Sequence, residues 1–350
     1  MKVAVIPGDG IGPEVIRAAT RILTAVSERF DCPIHLEFLD LGAERYLRTG
    51  ETLPEETFRR LRDDFDAILL GALGDPRVPD DAHARDILLG LRFRLDLYVN
   101  MRPVRLLDAG HSPLKGVRPG DVDLLLVREN TEGVYAGMGG TLRAGSPHEV
   151  AIEEDVNTRH GVERIVRAAF ELAKAGSRRK VTLADKANAM RYAGSLWRRV
   201  FAEVGADYPD IEREASYVDA LAMDLVLRPS RYDVIVASNL FGDILSDVAA
   251  ALVGGLGLAP SASFAPGGPA LFEPVHGSAP DLAGTDRANP FAAILTAALL
   301  LDHAGRAAEA AAVRDAVTGC IAAGETTEDL RGSLGTEEAG ARVASRLPKG

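Results

Sequence analysis

Two aspartates four residues apart are the first candidates for metal chemistry in this chain. Asp243 and Asp247 lie in the stretch SNLFGDILSDVAAAL, directly after the short apolar run Val234–Ala237. The run predicts a buried strand of a parallel sheet, and the stretch predicts a helix. Positions i and i+4 share one helix face, so both carboxylates point the same way. Such a pair supplies hard oxygen ligands for a divalent cation, although capping or a solvated acidic face is the alternative.

Three arginines have the chemistry to bind a di- or tricarboxylate. Arg92 lies in an amphipathic pattern, Arg102 is held extended by Pro103, and Arg128 ends the apolar run LLLV. A planar guanidinium matches a carboxylate with two parallel hydrogen bonds, so arginines that converge on one cleft bind such a ligand. For any one of them alone, a surface ion pair is the alternative role.

Further polar residues follow predicted strands of an alternating α/β pattern. Lys186 ends the strand in KVTLADKANAM, Asp219 ends the strand in IEREASYVDALAM, and Asn239 follows VIVAS. Tyr135 comes shortly after Arg128. Ligands bind at the carboxyl ends of parallel strands, so this shared location favours a functional site over ordinary surface charges.

The glycine-rich and proline-rich segment from residue 254 to residue 289 is predicted to be a long irregular functional loop. Its motif HGSAPD offers backbone donors for phosphates, and Asp281 offers a carboxylate for a ribose diol. The opening KVAVIPGDGIGPE looks at first like a dinucleotide-binding turn, but Pro13 stands where the third glycine belongs. We therefore predict that the chain does not have an ordinary Rossmann phosphate loop.

Composition excludes several classes of protein. The 350 residues, 47% of them hydrophobic and 26% charged, are typical of a globular enzyme with two domains or one large α/β unit. A net charge of −11 argues against a nucleic-acid partner. Two cysteines, Cys32 and Cys320, fit a reducing compartment, and the longest apolar run is too short to span a bilayer. A cytoplasmic location without a membrane partner is expected.

Nearly the whole chain resembles one family, the β-decarboxylating dehydrogenases, which act on isopropylmalate, isocitrate, homoisocitrate, tartrate or D-malate. The similar motifs are IPGDGIGPEV, LGLRFRLDLYVNMRP, VRENTEGVY, ADKANAM, YVDALAM, SNLFGDILSD, GLAPSAS, FEPVHGSAPDLAG and ANPFAAIL. The resemblance implies an α/β fold in which two domains share a large mixed sheet. Residues 1–99 and 250–350 would form the cofactor-binding domain, and residues 100–249 the substrate, metal and dimerisation domain.

The resemblance also implies a homodimer whose active sites are shared between subunits. Residues 136–158 are rich in glycine and alternate weakly, which predicts a projecting hairpin with unpaired edges. In the family, such an arm is intertwined with that of the partner.

Family roles carry over to matching positions of this sequence. Arg92, Arg102 and Arg128 match the residues on the substrate carboxylates. Asp243 and Asp247 of one subunit, with Asp219 of the other, match the ligands of Mg²⁺ or Mn²⁺. Tyr135 and the partner's Lys186 match the catalytic acid and base.

The expected cofactor is NAD. The predicted cofactor-binding residues are Glu273, His276, Gly277, Ser278, Ala279, Asp281 and Asn289. Asp281 stands where NAD-dependent members hold the adenosine ribose, and its carboxylate would repel a 2′-phosphate.

The predicted reaction is oxidative decarboxylation of 3-isopropylmalate to 4-methyl-2-oxopentanoate, as in leucine biosynthesis. Leu88 and Leu89 stand where leucines meet an isopropyl group in isopropylmalate dehydrogenases, although both could belong to the core. RENTEG and DLYVNMRPVRL look more like the tartrate/D-malate and isocitrate branches, and Arg85 replaces an acidic residue. Another malate analogue therefore stays open, as does a non-catalytic regulatory subunit.

Overall fold

The computed structural model describes residues 1–348. Within that range the chain forms twelve strands and eleven α-helices. The strands are β1 (Lys2–Ile6), β2 (His35–Phe38), β3 (Ala67–Leu70), β4 (Val99–Arg105), β5 (Asp123–Glu129), β6 (Gly139–Leu142), β7 (Val150–Glu153), β8 (Lys180–Asp185), β9 (Glu212–Tyr217), β10 (Val234–Ala237), β11 (Pro260–Phe264) and β12 (Ala270–Pro274). The helices are α1 (Gly12–Arg29), α2 (Ala43–Thr49), α3 (Glu55–Asp63), α4 (Ala82–Arg94), α5 (Arg159–Ala175), α6 (Arg191–Gly205), α7 (Val218–Leu227), α8 (Asn239–Ala251), α9 (Phe291–His303), α10 (Ala307–Ala322) and α11 (Thr336–Arg346).

The chain divides into two compact units. The first contains Met1–Leu97, Arg105–Gly120 and the chain from Ala250 onward, and the second contains Tyr98–Val104 and Asp121–Ala249. Residues 105–120 thus group with the first unit, whereas the sequence analysis assigned them to the 100–249 domain. The cofactor-binding and substrate-binding roles of the two domains stay predictions.

In the first unit the strand order is β2-β1-β3-β12-β11. β1 pairs in parallel with β2 and β3, β3 pairs in parallel with β12, and β11 runs antiparallel to β12. The residues of β1 and β3 are almost entirely buried because their apolar runs are covered on both faces. Helix α1 buries Val15, Ile22 and Val26 on one face and packs against α9 and α11.

In the second unit the strand order is β4-β5-β10-β8-β9, with parallel pairing along β5-β10-β8-β9. Helices α5 and α6 pack against each other and against the sheet. Helix α5 begins after Thr158, its N-cap, whose hydroxyl accepts a hydrogen bond from the Gly161 N–H at 2.9 Å. The predicted α/β fold with a large mixed sheet is confirmed.

The predicted hairpin consists of β6 and β7, which pair antiparallel as a separate two-stranded sheet. Leu142 lies opposite Val150, and side chains two residues apart on a strand share a face. Leu142, Val150 and Ile152 therefore form one apolar face, and all three are exposed in the single chain.

Two strand ends differ from the sequence-based expectation. β8 ends at Asp185 and β9 at Tyr217, so Lys186 lies just beyond its strand and Asp219 lies in the first turn of α7. The run VDALAMDLVL contains good helix formers such as Ala, Leu and Met, and it continues as a helix rather than as the end of the strand.

Candidate active site

The second unit holds a cluster of charged side chains around Asp243. Arg102 and Arg128 are 6% and 1% exposed, and both guanidinium groups face this carboxylate. Arg128 Nη1 forms an ion pair with Asp243 Oδ1, and Arg102 Nη1 lies 3.3 Å from the same oxygen. Asp247 Oδ1 lies 3.9 Å from Arg102 Nη1. Two of the three predicted carboxylate-binding arginines therefore meet at the predicted metal-binding aspartates.

Buried polar side chains fix the direction of both guanidinium groups. Arg102 Nε donates to Asn100 Oδ1 at 2.8 Å, and Arg128 Nε donates to Asn239 Oδ1 at 3.0 Å. Arg102 Nη1 also donates to Ser246 Oγ at 2.5 Å. A hydrogen bond at Nε fixes the plane of a guanidinium and therefore the direction of its terminal nitrogens.

The sequence analysis missed Asn100 and Ser246. Two signals could have found them: Asn100 shares a strand face with Arg102, and Ser246 lies three residues after Asp243 on α8.

Helix α8 presents Asp243 and Asp247 at different depths. The Asp243 side chain is 35% exposed and the Asp247 side chain is 59% exposed. Burial raises the pKa of Asp247, Arg102 lowers it, and the neighbouring Asp243 charge raises it. Two neighbouring carboxylates whose negative charges repel each other match the donor set of a hard divalent cation.

Tyr135 belongs to the same cluster. Its hydroxyl donates to Asp243 Oδ2 at 2.7 Å, and the Arg128 guanidinium lies 5.1 Å from the ring centre. Burial raises the pKa of Tyr135, and the hydrogen bond to Asp243 raises it further. The phenol therefore stays protonated to a higher pH than that of a free tyrosine.

Lys186 and Asp219 form a second group in the same unit. Lys186 Nζ lies 2.6 Å from Asp219 Oδ1, and this contact lowers the pKa of Asp219. Within residues 1–348, no group of three or more histidine, cysteine, aspartate or glutamate side chains is arranged to hold a metal. Asp219 therefore does not complete a three-carboxylate group with Asp243 and Asp247 of its own chain. A ligand set that takes Asp219 from a second subunit is compatible with this arrangement.

In the first unit, Arg92 pairs with Glu273. Arg92 Nη2 donates to Glu273 Oε1 at 2.6 Å, and both residues are buried. Arg92 Nε is buried without a hydrogen-bond partner in the described part of the chain. Leu88 packs against the hydrophobic core of this unit, whereas Leu89 is half-buried. Leu88 thus has a packing role in addition to any contact with a ligand.

The segment predicted to bind the cofactor contains both buried and exposed residues. His276 Nε2 is buried without a partner among the described residues, and burial lowers the pKa of His276. Ser278 is buried, Ala279 adopts φ +38°, and Gly277 and Asp281 are exposed. A buried polar atom without a partner and an exposed carboxylate fit a polar ligand such as a dinucleotide.

Asn289 has a clear structural role. Its Oδ1 accepts from the Phe291 N–H at 2.9 Å, at the start of α9, and its Nδ2 donates to Asp329 at 2.9 Å. These bonds fix the amide of Asn289 in place. A contact between Asn289 and a cofactor stays a prediction.

An α/β fold that brings two buried arginines, two helix-borne carboxylates and a tyrosine together defines a protein built for an anionic, carboxylate-bearing ligand. Residues 2–343 match the family model for isocitrate/isopropylmalate dehydrogenase. The chain belongs to this family, and it is a β-decarboxylating dehydrogenase, an oxidoreductase, as the sequence analysis predicted.

Close relatives and solved structures agree with this assignment. The chain is 52% identical to the 3-isopropylmalate dehydrogenase of Thermobifida fusca (strain YX) over 319 residues, which are 91% of this chain and 90% of that protein. It is 49% identical to the 3-isopropylmalate dehydrogenase of Streptomyces griseus, over 98% of each chain. The crystal structure of isocitrate dehydrogenase from Methylococcus capsulatus superposes with a TM-score of 0.90 at 37% identity, over 99% of each chain. None of the helices in the described range is both long and apolar enough to cross a membrane.

Proposed function

We propose that the protein oxidises 3-isopropylmalate with NAD and releases CO₂ and 4-methyl-2-oxopentanoate, the reaction used in leucine biosynthesis. The observation that carries this proposal is the cluster of Arg102, Arg128, Tyr135 and Asp243, which combines carboxylate recognition with a proton donor. Relatives that share about half of its residues over nearly its full length are 3-isopropylmalate dehydrogenases.

Charged side chains would recognise the carboxylates of the substrate, and apolar side chains would recognise its isopropyl group. The terminal nitrogens of Arg102 and Arg128 would bind the carboxylates, and Arg92 would join them from its pair with Glu273. Leu89, which is half-buried, and the outer surface of Leu88 would meet the isopropyl group. Burial of such a group stabilises the complex by about 2 kcal/mol, which biases selectivity towards branched malates.

Mg²⁺ or Mn²⁺ would be held by Asp243 and Asp247 of one subunit and Asp219 of the other. Such an ion supplies positive charge that stabilises oxygen anions of the substrate. NAD would lie along residues 273–289, with Asp281 at the adenosine ribose.

The protein's own side chains would move the protons. Lys186 would take the proton of the C2 hydroxyl as the C2 hydride passes to NAD. The bond from C3 to its carboxylate then breaks and releases CO₂, and Tyr135 would donate its proton to C3. The position of the Tyr135 hydroxyl, 2.7 Å from Asp243 Oδ2 and beside the two arginines, supports this role.

We also propose a homodimer. The exposed apolar face of the hairpin, formed by Leu142, Val150 and Ile152, would be covered by a partner subunit. The partner would contribute Lys186 and Asp219 to each site.

The two cysteines are unpaired, which supports the cytoplasm as the location.

The test is NADH formation by the purified protein with 3-isopropylmalate, isocitrate, homoisocitrate, D-malate or tartrate as substrate. We expect a strong preference for 3-isopropylmalate, complete loss of activity with EDTA and recovery with Mn²⁺ or Mg²⁺. A preference for D-malate or tartrate would contradict the assigned substrate and would mean that Leu88 and Leu89 do not set specificity. No turnover with any of the five acids would favour another malate analogue or a regulatory subunit.

A further inference from the structure

A buried aspartate connects the loop between β1 and α1 to three other segments of the first unit. Asp9 is 6% exposed and accepts three hydrogen bonds from elsewhere in this unit. Its Oδ1 accepts from the Ala43 N–H at 2.7 Å, where α2 begins. Its Oδ2 accepts from the Gly74 N–H at 2.9 Å, in the loop after β3. The third donor is a histidine side chain on α4.

That donor is His83, which is completely buried. His83 Nε2 lies 2.8 Å from Asp9 Oδ2. An ionised carboxylate only accepts hydrogen bonds, so Nε2 carries the proton and donates it. Nδ1 is buried without a partner among residues 1–348, and the ring of Tyr46 stacks on the imidazole at 6.1 Å between centroids. The imidazole therefore bonds to Asp9 through one nitrogen, Nε2.

The loop that Asp9 fastens lies directly against Ser278, in the segment proposed to bind NAD. The Ile11 N–H donates to the Ser278 carbonyl at 2.8 Å. Gly10 has φ +56°, and a Cβ at this position would lie 2.0 Å from the same carbonyl oxygen. Gly74 also lies near Ser278, since a Cβ at this position would lie 3.2 Å from Oγ. Both loops that lie against Ser278 are therefore bonded to the same carboxylate, that of Asp9.

We propose that His83 and Asp9 are a positioning pair for the cofactor: they hold the two loops that set the backbone of residues 276–281. This inference rests on the proposed NAD-dependent function. His83 touches neither substrate nor cofactor and acts only through Asp9. Loss of its hydrogen bond should therefore weaken NAD binding without slowing the chemical step of the bound complex.

The test compares variants that remove or keep the donor. His83→Leu removes it, whereas His83→Gln places an amide N–H close to the position of Nε2. His83→Met is a second variant without the donor, with a side chain that adapts to irregular space if leucine prevents folding. Tyr208→Phe serves as the control, because it removes a hydroxyl bonded to a carboxylate, that of Glu171, in the other unit.

NADH binding without substrate is measured by fluorescence titration, followed by steady-state kinetics. We expect the NADH Kd and the KM for NAD to rise about tenfold in His83→Leu or His83→Met, as for the loss of one charge-assisted hydrogen bond. The kcat at saturating NAD should stay within about twofold, and His83→Gln and Tyr208→Phe should bind NADH like the unmodified protein.

Two results would overturn the inference alone: unchanged NADH binding in both variants that lack the donor, or an equal loss in His83→Gln. An unmodified protein that neither binds NADH nor forms it would instead overturn the proposed function, and this inference with it. The two failures are thus distinguishable before any variant is compared.

Discussion

Asp243 is the residue on which the proposed chemistry converges. Its carboxylate receives the Arg128 guanidinium on one oxygen and the Tyr135 hydroxyl on the other, with Arg102 3.3 Å away. A carboxylate with several charge-assisted bonds holds its partners in fixed directions. The same residue would therefore bind a cation and orient the groups that recognise and protonate the substrate.

The proton-donating role of Tyr135 can be tested by its replacement with phenylalanine. Tyr135→Phe keeps the ring over Arg128 but removes the donor, so decarboxylation and protonation of the product should slow by about 10²-fold or more. Hydride transfer, measured as NADH formation in a single turnover, should slow much less. Equal losses in the two partial reactions would contradict the assignment.

Proton donation by Tyr135 should be lost at high pH and not at low pH. The pKa of Tyr135 is raised, first by burial and then by Asp243, so the phenol stays protonated to a higher pH than a free tyrosine. Below the ordinary tyrosine pKa the proton is fully present, and it is lost only as the pH rises through the raised value.

The sequence could identify the functional side chains but not which of them form pairs. Motif resemblance pointed to Arg92, Arg102, Arg128 and Asp243, and the structure brings Arg102 and Arg128 to Asp243. The motif resemblance did not predict that Glu273, which was assigned to the cofactor, pairs with Arg92 at 2.6 Å. Side chains on β12 and α4 meet only through tertiary packing, which leaves no local signal in the sequence.

Helix α8 must lie close against β5 for the cluster around Asp243 to form. A Cβ at Gly242 would lie 2.6 Å from Arg128 Cγ, 2.7 Å from its Cβ and 3.2 Å from its Cα. Any side chain at this position would therefore push the helix that carries Asp243 and Asp247 away from Arg128.

Gly242→Ala should consequently damage both stability and activity. Overpacking of this kind lowers the free energy of unfolding by about 1–3 kcal/mol. Displacement of the site should lower kcat/KM by about tenfold or more, as a misplaced catalytic group does. Denaturant unfolding and steady-state kinetics measure the two effects.

Gly90→Ala is the matched control on α4. The nearest atom to a Cβ at Gly90 is Leu53 Cδ2 at 3.8 Å, so the substitution should gain about 0.5–1 kcal/mol of helix stability. If Gly242→Ala kept full stability and activity, α8 would not need this close approach.

The sequence predicted elements well where the signal was local. The apolar run Val234–Ala237 forms strand β10, as its pattern predicted. The boundary between β9 and α7 was wrong because VDALAM is apolar enough for a buried strand, and only its helix propensity and packing decide the outcome.

For the whole molecule, resemblance indicated the two-part α/β architecture that periodicity alone would not have specified. β12 lies between β3 and β11 in the sheet order although some 200 residues separate it from β3 along the chain. Pairing over such distances depends on topology, and no window of residues encodes it.

We propose that a complete active site needs two copies of the chain. Asp243 lies in one group with Arg102, Arg128 and Tyr135, and Lys186 lies in another with Asp219. If these groups belong to different sites, a subunit with a defect in one group can complement a subunit with a defect in the other.

The most direct measurement is the activity of heterodimers, purified through two affinity tags, that combine a Lys186→Met subunit with an Asp243→Asn subunit. One site of each heterodimer would then contain only unaltered groups, so we predict about half of the unmodified activity with 3-isopropylmalate and NAD. Heterodimers of Lys186→Met and Asp219→Asn subunits, with both defects in the same group, should be inactive. Activity of the first heterodimer no higher than that of the two inactive homodimers would contradict a site shared between subunits, because each chain would then carry its own complete site.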